Sequence, residues 1–350
     1  MSKKYAIILR GNNYELGKIE ISNLLSNFIE KIYIDEKNSK IIYLVTKDIK
    51  EESLVSYLKN CIIAKEIIRL IDIFDINKIK SKEFRDIFKT SKWEFLKNRS
   101  FVVRVTKLTR KLANSTPLLE AYIGGIIYNS IRNTKVRLKN PDYYIRVIFL
   151  DDKVLLGFRV IKIPIGNLKQ ILNPIKRPFF HPSTLTPEMA RLLVNMTLNP
   201  HVNVILDPFC GTGSILIDLS IRKVYNIGID IHWKFAQGAK SNLKYYKLDG
   251  YSDLIVADSC LIPIRKNSID GIATDPPYGR LSSTYQKDIQ SLYDTFLKQV
   301  SIILKKNKRV SFLYPKQCIK IHKDYNLKMI IRKEIYVHSK LTRVLVVGEK

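Results

Sequence analysis

The sequence contains few cysteines and few histidines. The four cysteines lie far apart and form no C-x-x-C pair, so neither a zinc site nor a disulfide framework is indicated. The five histidines include no pair at ligand spacing, and we expect no bound metal. The apolar run before Arg10 has only four residues, too short for a signal peptide or a membrane span. These features predict a cytoplasmic protein.

Acidic residues are also few relative to basic ones. There are 32 Asp and Glu against 60 Lys and Arg, a formal net charge of +28. Such an excess favours a polyanionic partner, and nucleic acid first. Residues 101–150 carry nine basic and two acidic side chains, whereas residues 251–300 carry five and six. A compositional bias of the source would spread the charge evenly, so we expect binding and chemistry in different parts of the chain.

The chain has 350 residues, 46% of them hydrophobic, enough for two or three domains. Residues 1–73 follow a β-α-β-β-α order typical of a small ferredoxin-like unit, with EESLVSYLKNCIIAKEII as the second helix. Residues 74–163 start with a connecting helical segment and continue as a second α/β unit. Residues 164–186 are rich in Pro and Asn and predict a linker. In residues 187–350, long alternation of strands and helices predicts a mostly parallel, doubly wound sheet.

The first strand of that sheet leads into ILDPFCGTGS. Gly211 and Gly213 permit a tight turn and close approach of a ligand to the backbone. Asp207 can meet a cationic or hydroxyl-bearing group. The loop lacks the additional glycine or lysine of a phosphate-binding loop, which disfavours nucleotide phosphates.

Each of the next three strands also ends in an acid. Asp230 ends the second, where a carboxylate can accept both hydroxyls of a ribose. Asp258 and Ser259 follow the third, placed to pair with an adenine edge, and Asp275 of ATDPPYGR ends the fourth. A strand-end cap explains any one of these acids. Four at successive strand ends indicate a ligand site.

These motifs resemble those of a known family. DPFCGTGSILID and TDPPYG, with Asp230 and Asp258 between them, are similar to the S-adenosylmethionine-dependent amino-methyltransferases of the Rossmann-like class, over about residues 178–348. RPFFHPSTLTPEMARLLVNM resembles archaeal tRNA guanine-N2 methyltransferases acting at position 10, and VRLKNPDYYIRVIFLDDKVLLG resembles the second half of a THUMP RNA-binding domain. The resemblance implies an α/β fold: a class I methyltransferase domain with a mostly parallel seven-stranded sheet, preceded by ferredoxin-like and THUMP regions.

The resemblance also implies roles for individual residues. The side chain of Asp275 and the carbonyl of Pro276 would accept the two N–H groups of a base amine, and Tyr278 would stack on the base. The residues implied to hold S-adenosylmethionine are His181, Thr184, Asp207, Phe209, Gly211, Gly213, Asp230, Ile231, Asp258 and Ser259. The THUMP-like region would grip the acceptor end of tRNA through Arg99, Arg104, Lys107, Arg110, Lys111, Arg137 and Lys139.

The predicted function is therefore methyl transfer from S-adenosylmethionine to N2 of a guanosine in tRNA, at position 10, adding one or two methyl groups. Three alternatives stay open. Enzymes acting at position 6 of the acceptor stem share these domains, D-P-P-Y also serves DNA adenine and cytosine amines, and a non-catalytic RNA-binding protein would retain the basic region. We expect a monomeric catalytic chain, and the sequence leaves open the small zinc-binding activator subunit of some relatives.

Overall fold

A computed structural model describes most of the chain. The described residues are 2–11, 13–80, 83–90, 93–110, 112, 115–164, 172–198, 202–278, 289–316, 321, 325–339 and 341–350. The chain divides into two units, Met1–Ile163 and Pro164–Lys350. No helix among the described residues combines the length and the apolar character that crossing a membrane requires.

One eight-stranded sheet runs through the first unit. In chain order the elements are β1 (Lys3–Leu9), α1 (Tyr14–Leu24), β2 (Ile29–Ile34), β3 (Ile41–Thr46), α2 (Glu51–Leu58), β4 (Ala64–Asp75), α3 (Glu83–Thr90), β5 (Ser100–Lys107), α4 (Thr116–Ser130), β6 (Lys135–Val136), β7 (Tyr143–Phe149) and β8 (Lys153–Lys162). The spatial order is β2-β3-β1-β4-β8-β7-β5-β6. Because β4 pairs with β8, the two predicted parts of this unit share one sheet, and the domain boundary at residue 73 stays a prediction.

The helix predicted over EESLVSYLKNCIIAKEII is wrong in its second half. The helix ends at Leu58, and the chain turns and continues as β4. Ile67 pairs with β1 on one side and with β8 on the other, so two ladders of hydrogen bonds fix the extended form. Short apolar runs fit either period, and here tertiary pairing decides between them.

A seven-stranded sheet forms the second unit. Its elements are α5 (Pro187–Thr197), β9 (Val204–Asp207), α6 (Ser214–Ile221), β10 (Tyr225–Asp230), α7 (Trp233–Tyr245), β11 (Ser252–Val256), β12 (Ile269–Thr274), α8 (Ile289–Ile303), β13 (Leu304–Pro315), β14 (Lys328–His338) and β15 (Leu341–Glu349). The order is β11-β10-β9-β12-β13-β15-β14. The first five strands of this order pair in parallel, whereas β15 and β14 are antiparallel, so the predicted mostly parallel sheet is in fact mixed.

The strand order reverses beside β9. The chain proceeds from β9 to β10 and β11 on one side, and then returns to place β12 on the other. Ligands of doubly wound folds bind at the carboxyl ends of strands next to such a reversal. Asp207 ends β9 and Asp275 directly follows β12, so both acids lie at this point.

The segment before α5 packs on two helices of the second unit. Arg177 donates to the hydroxyl of Ser214, and Asn242 on α7 exchanges hydrogen bonds with the backbone of Phe179. A Cβ at Gly238 would lie 2.1 Å from Cδ1 of Phe179, so this helix position requires glycine. The described part of the predicted linker is thereby fixed on α6 and α7.

Candidate active site

A cavity of about 660 Å³ lies in the second unit at the carboxyl ends of its parallel strands. Cavities of this size, with apolar walls and a few polar groups, are typical small-molecule sites. All residues predicted to hold the cofactor or the base line it except His181 and Gly213. The lining contains Thr184, Asp207, Phe209, Gly211, Asp230, Ile231, Asp258, Ser259, Asp275, Pro276 and Tyr278.

The two glycines of the loop after β9 have different reasons to be glycine. Both adopt left-handed backbone angles, with φ +51° at Gly211 and +82° at Gly213. No atom lies within 4 Å of a Cβ at Gly211, whereas one at Gly213 would lie 3.1 Å from Cβ of Ala239. Gly211 therefore leaves the cavity open to a ligand, and Gly213 allows α6 to pack against α7.

Asp207 is almost fully buried at the end of β9. It accepts a hydrogen bond of 2.7 Å from the hydroxyl of Thr274 and one of 3.2 Å from the backbone N–H of Phe209. Burial, helped by the nearby charges of Asp275 and Asp230, raises the pKa of Asp207 to about 7. The apolar surroundings and the neighbouring acids both disfavour a negative charge here, so the group gains from a cationic ligand.

Asp230 is held by backbone donors. It accepts from the N–H of Gly211 at 3.1 Å and from that of His232 at 2.9 Å. Burial raises its pKa, although these two bonds oppose the shift. The bond to Gly211 fixes the carboxylate against the glycine loop, as the predicted ribose contact requires.

The pair after β11 is held by contacts within the protein. Asp258 accepts from the N–H of Cys260 at 2.8 Å. The hydroxyl of Ser259 is buried and donates to the carbonyl of Pro208, which ties this loop to the one after β9. Both residues line the cavity, and their contact with an adenine edge stays a prediction.

The D-P-P-Y loop places its acid against its own tyrosine. Tyr278 donates its phenolic hydroxyl to Asp275. Burial raises the pKa of Asp275 to about 6, against the opposing effects of Arg343 and Tyr278. The hydroxyl of Tyr293 lies 3.5 Å from the carbonyl oxygen of Pro276 and 3.2 Å from that of Leu313.

Two further predicted residues lie on the segment before α5. The hydroxyl of Thr184 receives hydrogen bonds from Thr212 at 3.1 Å and from the N–H of His181 at 3.3 Å. The His181 ring meets that of Phe235, a cavity-lining residue, edge to face with centroids 5.2 Å apart. His181 therefore lies one side chain away from the cavity.

The predicted RNA contacts differ in how freely they are exposed. Arg99, Arg110, Arg137 and Lys139 are exposed in the first unit, whereas Arg104 pairs with Glu120 at 3.0 Å and Lys107 donates to the carbonyl of Leu112 at 3.3 Å. Lys111 lies outside the described residues. A groove of about 770 Å³ adjoins them, lined by Arg104, Gly124, Gly125, Lys135 and neighbouring residues. Their role in RNA binding stays a prediction.

The chain is 34% identical over 260 residues to the tRNA (guanine(10)-N2)-dimethyltransferase of Methanothermobacter thermautotrophicus, covering 74% of this chain and 75% of that protein. This chain belongs to the tRNA (guanine(10)-N2)-dimethyltransferase family. A second member, from Methanocaldococcus jannaschii, is 31% identical over 91% of this chain and 85% of its own length. The tRNA (guanine(6)-N2)-methyltransferase of the same organism is less similar, at 23% identity over 87% of this chain and 89% of its own length.

Other comparisons agree with the fold of this dimethyltransferase family member. A family described as RMKL-like, methyltransferase domain, matches residues 174–344, which include the whole cavity. A model described as DNA methylase matches residues 20–241 and ends before Asp275. The crystal structure of TrmN from Thermus thermophilus superposes with a TM-score of 0.54 at 18% identity over the full length of both chains. It shows a shared fold.

In this family member, the sequence interpretation missed three residues that contact the cavity lining. Thr274 bonds to Asp207, Tyr293 approaches the carbonyl of Pro276, and Arg343 lies beside Asp275. Thr274 precedes the D-P-P-Y motif directly, and that position was a usable signal. Tyr293 belongs to a helix and Arg343 to an antiparallel strand between β13 and β14, and neither lies in a local motif, so the sequence offered no signal for them.

Proposed function

We propose that this member of the tRNA (guanine(10)-N2)-dimethyltransferase family methylates N2 of the guanosine at position 10 of tRNA, with S-adenosylmethionine as the methyl donor. One observation carries the proposal. Asp275, Pro276 and Tyr278 line the same cavity as the glycine loop after β9. A planar amine and a cofactor can therefore share this cavity.

The cavity residues fit S-adenosylmethionine. The left-handed backbone at Gly211 leaves open space where a side chain would otherwise project. Asp230 would accept the ribose hydroxyls, and the exposed side chain of Ile231 offers an apolar surface to adenine. Asp207 and Asp275, both destabilised as anions, favour a cationic ligand. When bound, S-adenosylmethionine supplies an electrophilic methyl group on its sulfonium.

Asp275 and Pro276 would prepare the amine for attack. The lone pair of guanine N2 is delocalised into the ring, which makes the amine a poor nucleophile. Hydrogen bonds from its two N–H groups to the Asp275 carboxylate and the Pro276 carbonyl would localise that pair on nitrogen. Tyr278 would hold the base by stacking, so positioning accounts for most of the rate.

The same arrangement allows a second methylation. After the first transfer N2 keeps one N–H, which needs only one of the two acceptors. The relatives from Methanothermobacter thermautotrophicus and Methanocaldococcus jannaschii are both named as dimethyltransferases. We propose N2,N2-dimethylguanosine as the final product, and mass spectrometry of nucleosides after extended incubation distinguishes it from the monomethyl form.

A base inside folded RNA must leave its stack to enter this cavity, at a cost of a few kcal/mol that stacking and edge contacts offset. A separate grip on the RNA keeps the target nearby during that step. Arg99, Arg137 and Lys139 are exposed in the first unit and suit this role, with the carboxylate of Asp142 close enough to Arg99 and Arg137 to interact with their charges. We assign them to phosphate contacts.

The central experiment uses the purified full chain, an unmodified tRNA transcript and methyl-labelled S-adenosylmethionine. We expect label in the tRNA, and its loss when only the guanosine at position 10 is replaced by adenosine. A transcript with only the nucleotide at position 6 changed is the matched control and should be labelled normally. Label that persists in the transcript without guanosine 10 contradicts the assigned position. Label that is lost when only position 6 is changed supports methylation at position 6 instead.

Two further measurements test the remaining alternatives. The match to a DNA methylase model makes duplex DNA a competitor worth testing, and we expect excess DNA to leave tRNA methylation unchanged. Activity of the purified chain alone, together with sedimentation of the tRNA-free protein, tests the proposal of a monomeric catalyst in the cytoplasm. Activity that appears only after a zinc-binding partner is added would show that an activator subunit is required.

A further inference from the structure

Arg343, near the start of β15, reaches the D-P-P-Y loop. Its Nη1 lies 3.9 Å from Oδ2 of Asp275, and its guanidinium carbon lies 5.0 Å from the centre of the Tyr278 ring. The side chain is 20% exposed and lines the cavity. Its Nε is buried without a hydrogen-bond partner among the described residues. Besides Nε, the guanidinium carries N–H donors on both Nη atoms, and these can serve a ligand in the cavity.

The sheet fixes the place of this arginine. The backbone of Arg343 pairs with Pro315 of β13 on one side and with Ile335 of β14 on the other. A side chain supplied by a strand with two paired neighbours is positioned more precisely than one on a loop. Arg343 is therefore a permanent part of the cavity wall.

Arg343 is placed to reach a base held by Asp275. Its guanidinium lies over the ring of Tyr278, with its central carbon 5.0 Å from the ring centre, and its Nη1 lies 3.9 Å from Oδ2 of Asp275. A base whose amine is bound by Asp275 would therefore have the guanidinium next to it. Arg343 would meet the group that follows the edge held by Asp275.

Guanine presents its polar groups in a fixed order along one edge. Along its Watson–Crick edge the N2 amine is followed by N1–H and then by the O6 carbonyl. A carboxylate can accept from N1–H and N2–H together, and the next group along the edge then requires a donor. Arginine is the side chain most often found donating to O6 of guanine. Its fork and fixed charge suit this acceptor better than a lysine would.

We infer that Arg343 donates to the O6 carbonyl of the target guanine and so fixes which purine can place its 2-amine on Asp275. The inference rests on the proposed function, because it names a contact within the same cavity. 2,6-Diaminopurine keeps the 2-amine but has an amine in place of O6 and no hydrogen on N1. At the 6-position two donors then face each other, and Arg343 opposes binding. The lone pair of N1 also faces Asp275, so the part of the preference that belongs to Arg343 is the part lost in Arg343→Met.

The experiment combines enzyme and substrate variants. Full-length tRNA is assembled with guanine or 2,6-diaminopurine at position 10, and single-turnover methylation is measured with the wild type, Arg343→Met and Arg343→Lys. We expect the wild type to prefer guanine by roughly a hundredfold, Arg343→Met to reduce that preference by at least about tenfold, and Arg343→Lys to keep part of it. Lys328→Met, which removes an exposed charge from β14, is the matched control and should keep the full preference.

An unchanged preference in Arg343→Met, with both substrates slowed equally, would overturn the inference, since Arg343 would then act only by orienting Asp275 and Tyr278 or by holding phosphate. Calorimetric binding of S-adenosylmethionine to each variant verifies that the second unit is folded. Failure of the wild type to methylate guanine-containing tRNA would instead count against the proposed function.

Discussion

Thr274 donates its hydroxyl to Asp207 at 2.7 Å across the junction between β12 and β9. One hydrogen bond thus joins the last residue of the strand that leads to the D-P-P-Y loop to the last residue of the strand that leads to the glycine loop. The loops assigned to base and cofactor are therefore held in register by a buried pair. Burial of the Asp207 carboxylate at this junction has a cost in stability.

Asp207→Asn should stabilise the protein and weaken the binding of the cofactor. Because burial raises the pKa of Asp207 to about 7, well above its usual 3.8, its contribution to stability is fully present below about pH 4 and is lost as the pH rises through 7. At pH 8 the neutral amide should raise the thermal midpoint by several degrees. At the same time S-adenosylmethionine affinity should fall roughly tenfold to a hundredfold. Thermal unfolding at pH 5 and pH 8 and calorimetry test both effects.

Asp270→Asn is the control of opposite sign. Asp270 is also buried, but the ammonium of Lys305, at 2.7 Å, and the N–H groups of Asn203 and Val204 outweigh the effect of burial and lower its pKa. Its stabilising effect is present at neutral pH and disappears as the pH falls through the lowered pKa. The amide should therefore destabilise the protein at pH 8. Equal shifts in the two variants would contradict the assignment of Asp207 as a strained anion.

Asp275→Ala should abolish turnover and leave tRNA affinity nearly unchanged. In the proposed arrangement the carboxylate touches only one edge of the target base, while most binding energy comes from phosphate contacts elsewhere. The measurements are single-turnover rates with labelled cofactor and filter binding of tRNA. A large loss of affinity would mean that Asp275 supports the binding surface instead.

The rate of methyl transfer should fall as the pH drops through about 6. Burial raises the pKa of Asp275 to that value, and only the ionised group accepts from the amine through either oxygen. Tyr278→Phe keeps the ring but removes the hydroxyl bond that lowers this pKa, so the midpoint should move upward while the rate at pH 8 is retained within about tenfold. A midpoint that stays in place in Tyr278→Phe would assign the pH dependence to another group.

Gly238→Ala should loosen the segment that carries His181 and Thr184. The added Cβ would lie 2.1 Å from Cδ1 of Phe179, and the ring must shift to avoid it. We expect a loss of about 1 to 3 kcal/mol in unfolding free energy and weaker cofactor binding. Gly250→Ala, where no atom lies within 4 Å of the new Cβ, should change stability by less than about 0.5 kcal/mol. Similar losses in both would exclude the contact with Phe179 as the cause.

Two arginines of the first unit should separate RNA binding from folding. Arg137 is exposed, whereas Arg104 pairs with Glu120 at 3.0 Å. Arg137→Ala should weaken tRNA binding and reduce the slope of log affinity against log salt by about one. Arg104→Ala should lower the thermal midpoint and alter the slope little. The reverse result would place the phosphate contact at Arg104.

How far the sequence predicts this molecule depends on how local each feature is. Asp207 and Asp230 end their strands, and Asp258 and Asp275 follow theirs within two residues, so local patterns predict all four positions. Arg343 meets Tyr278 only after the edge strands fold back on β13, and one arginine among many basic residues carries no mark of that contact. The hydrogen bond from the Ser259 hydroxyl to the carbonyl of Pro208 could not be predicted either, since a contact between two loops leaves no pattern in the sequence.

The pairing of β4 with β8 means that the amino-terminal strands protect β8 from aggregation during synthesis. Nine of the ten residues of β8 pair with β4, and an uncovered strand of that length recruits other chains and promotes aggregation. Chains fold from the amino terminus as they leave the ribosome, so β1, β3 and β4 are already assembled when β8 emerges. We therefore expect the strand that pairs with β8 to be in place in each new chain before β8 is made.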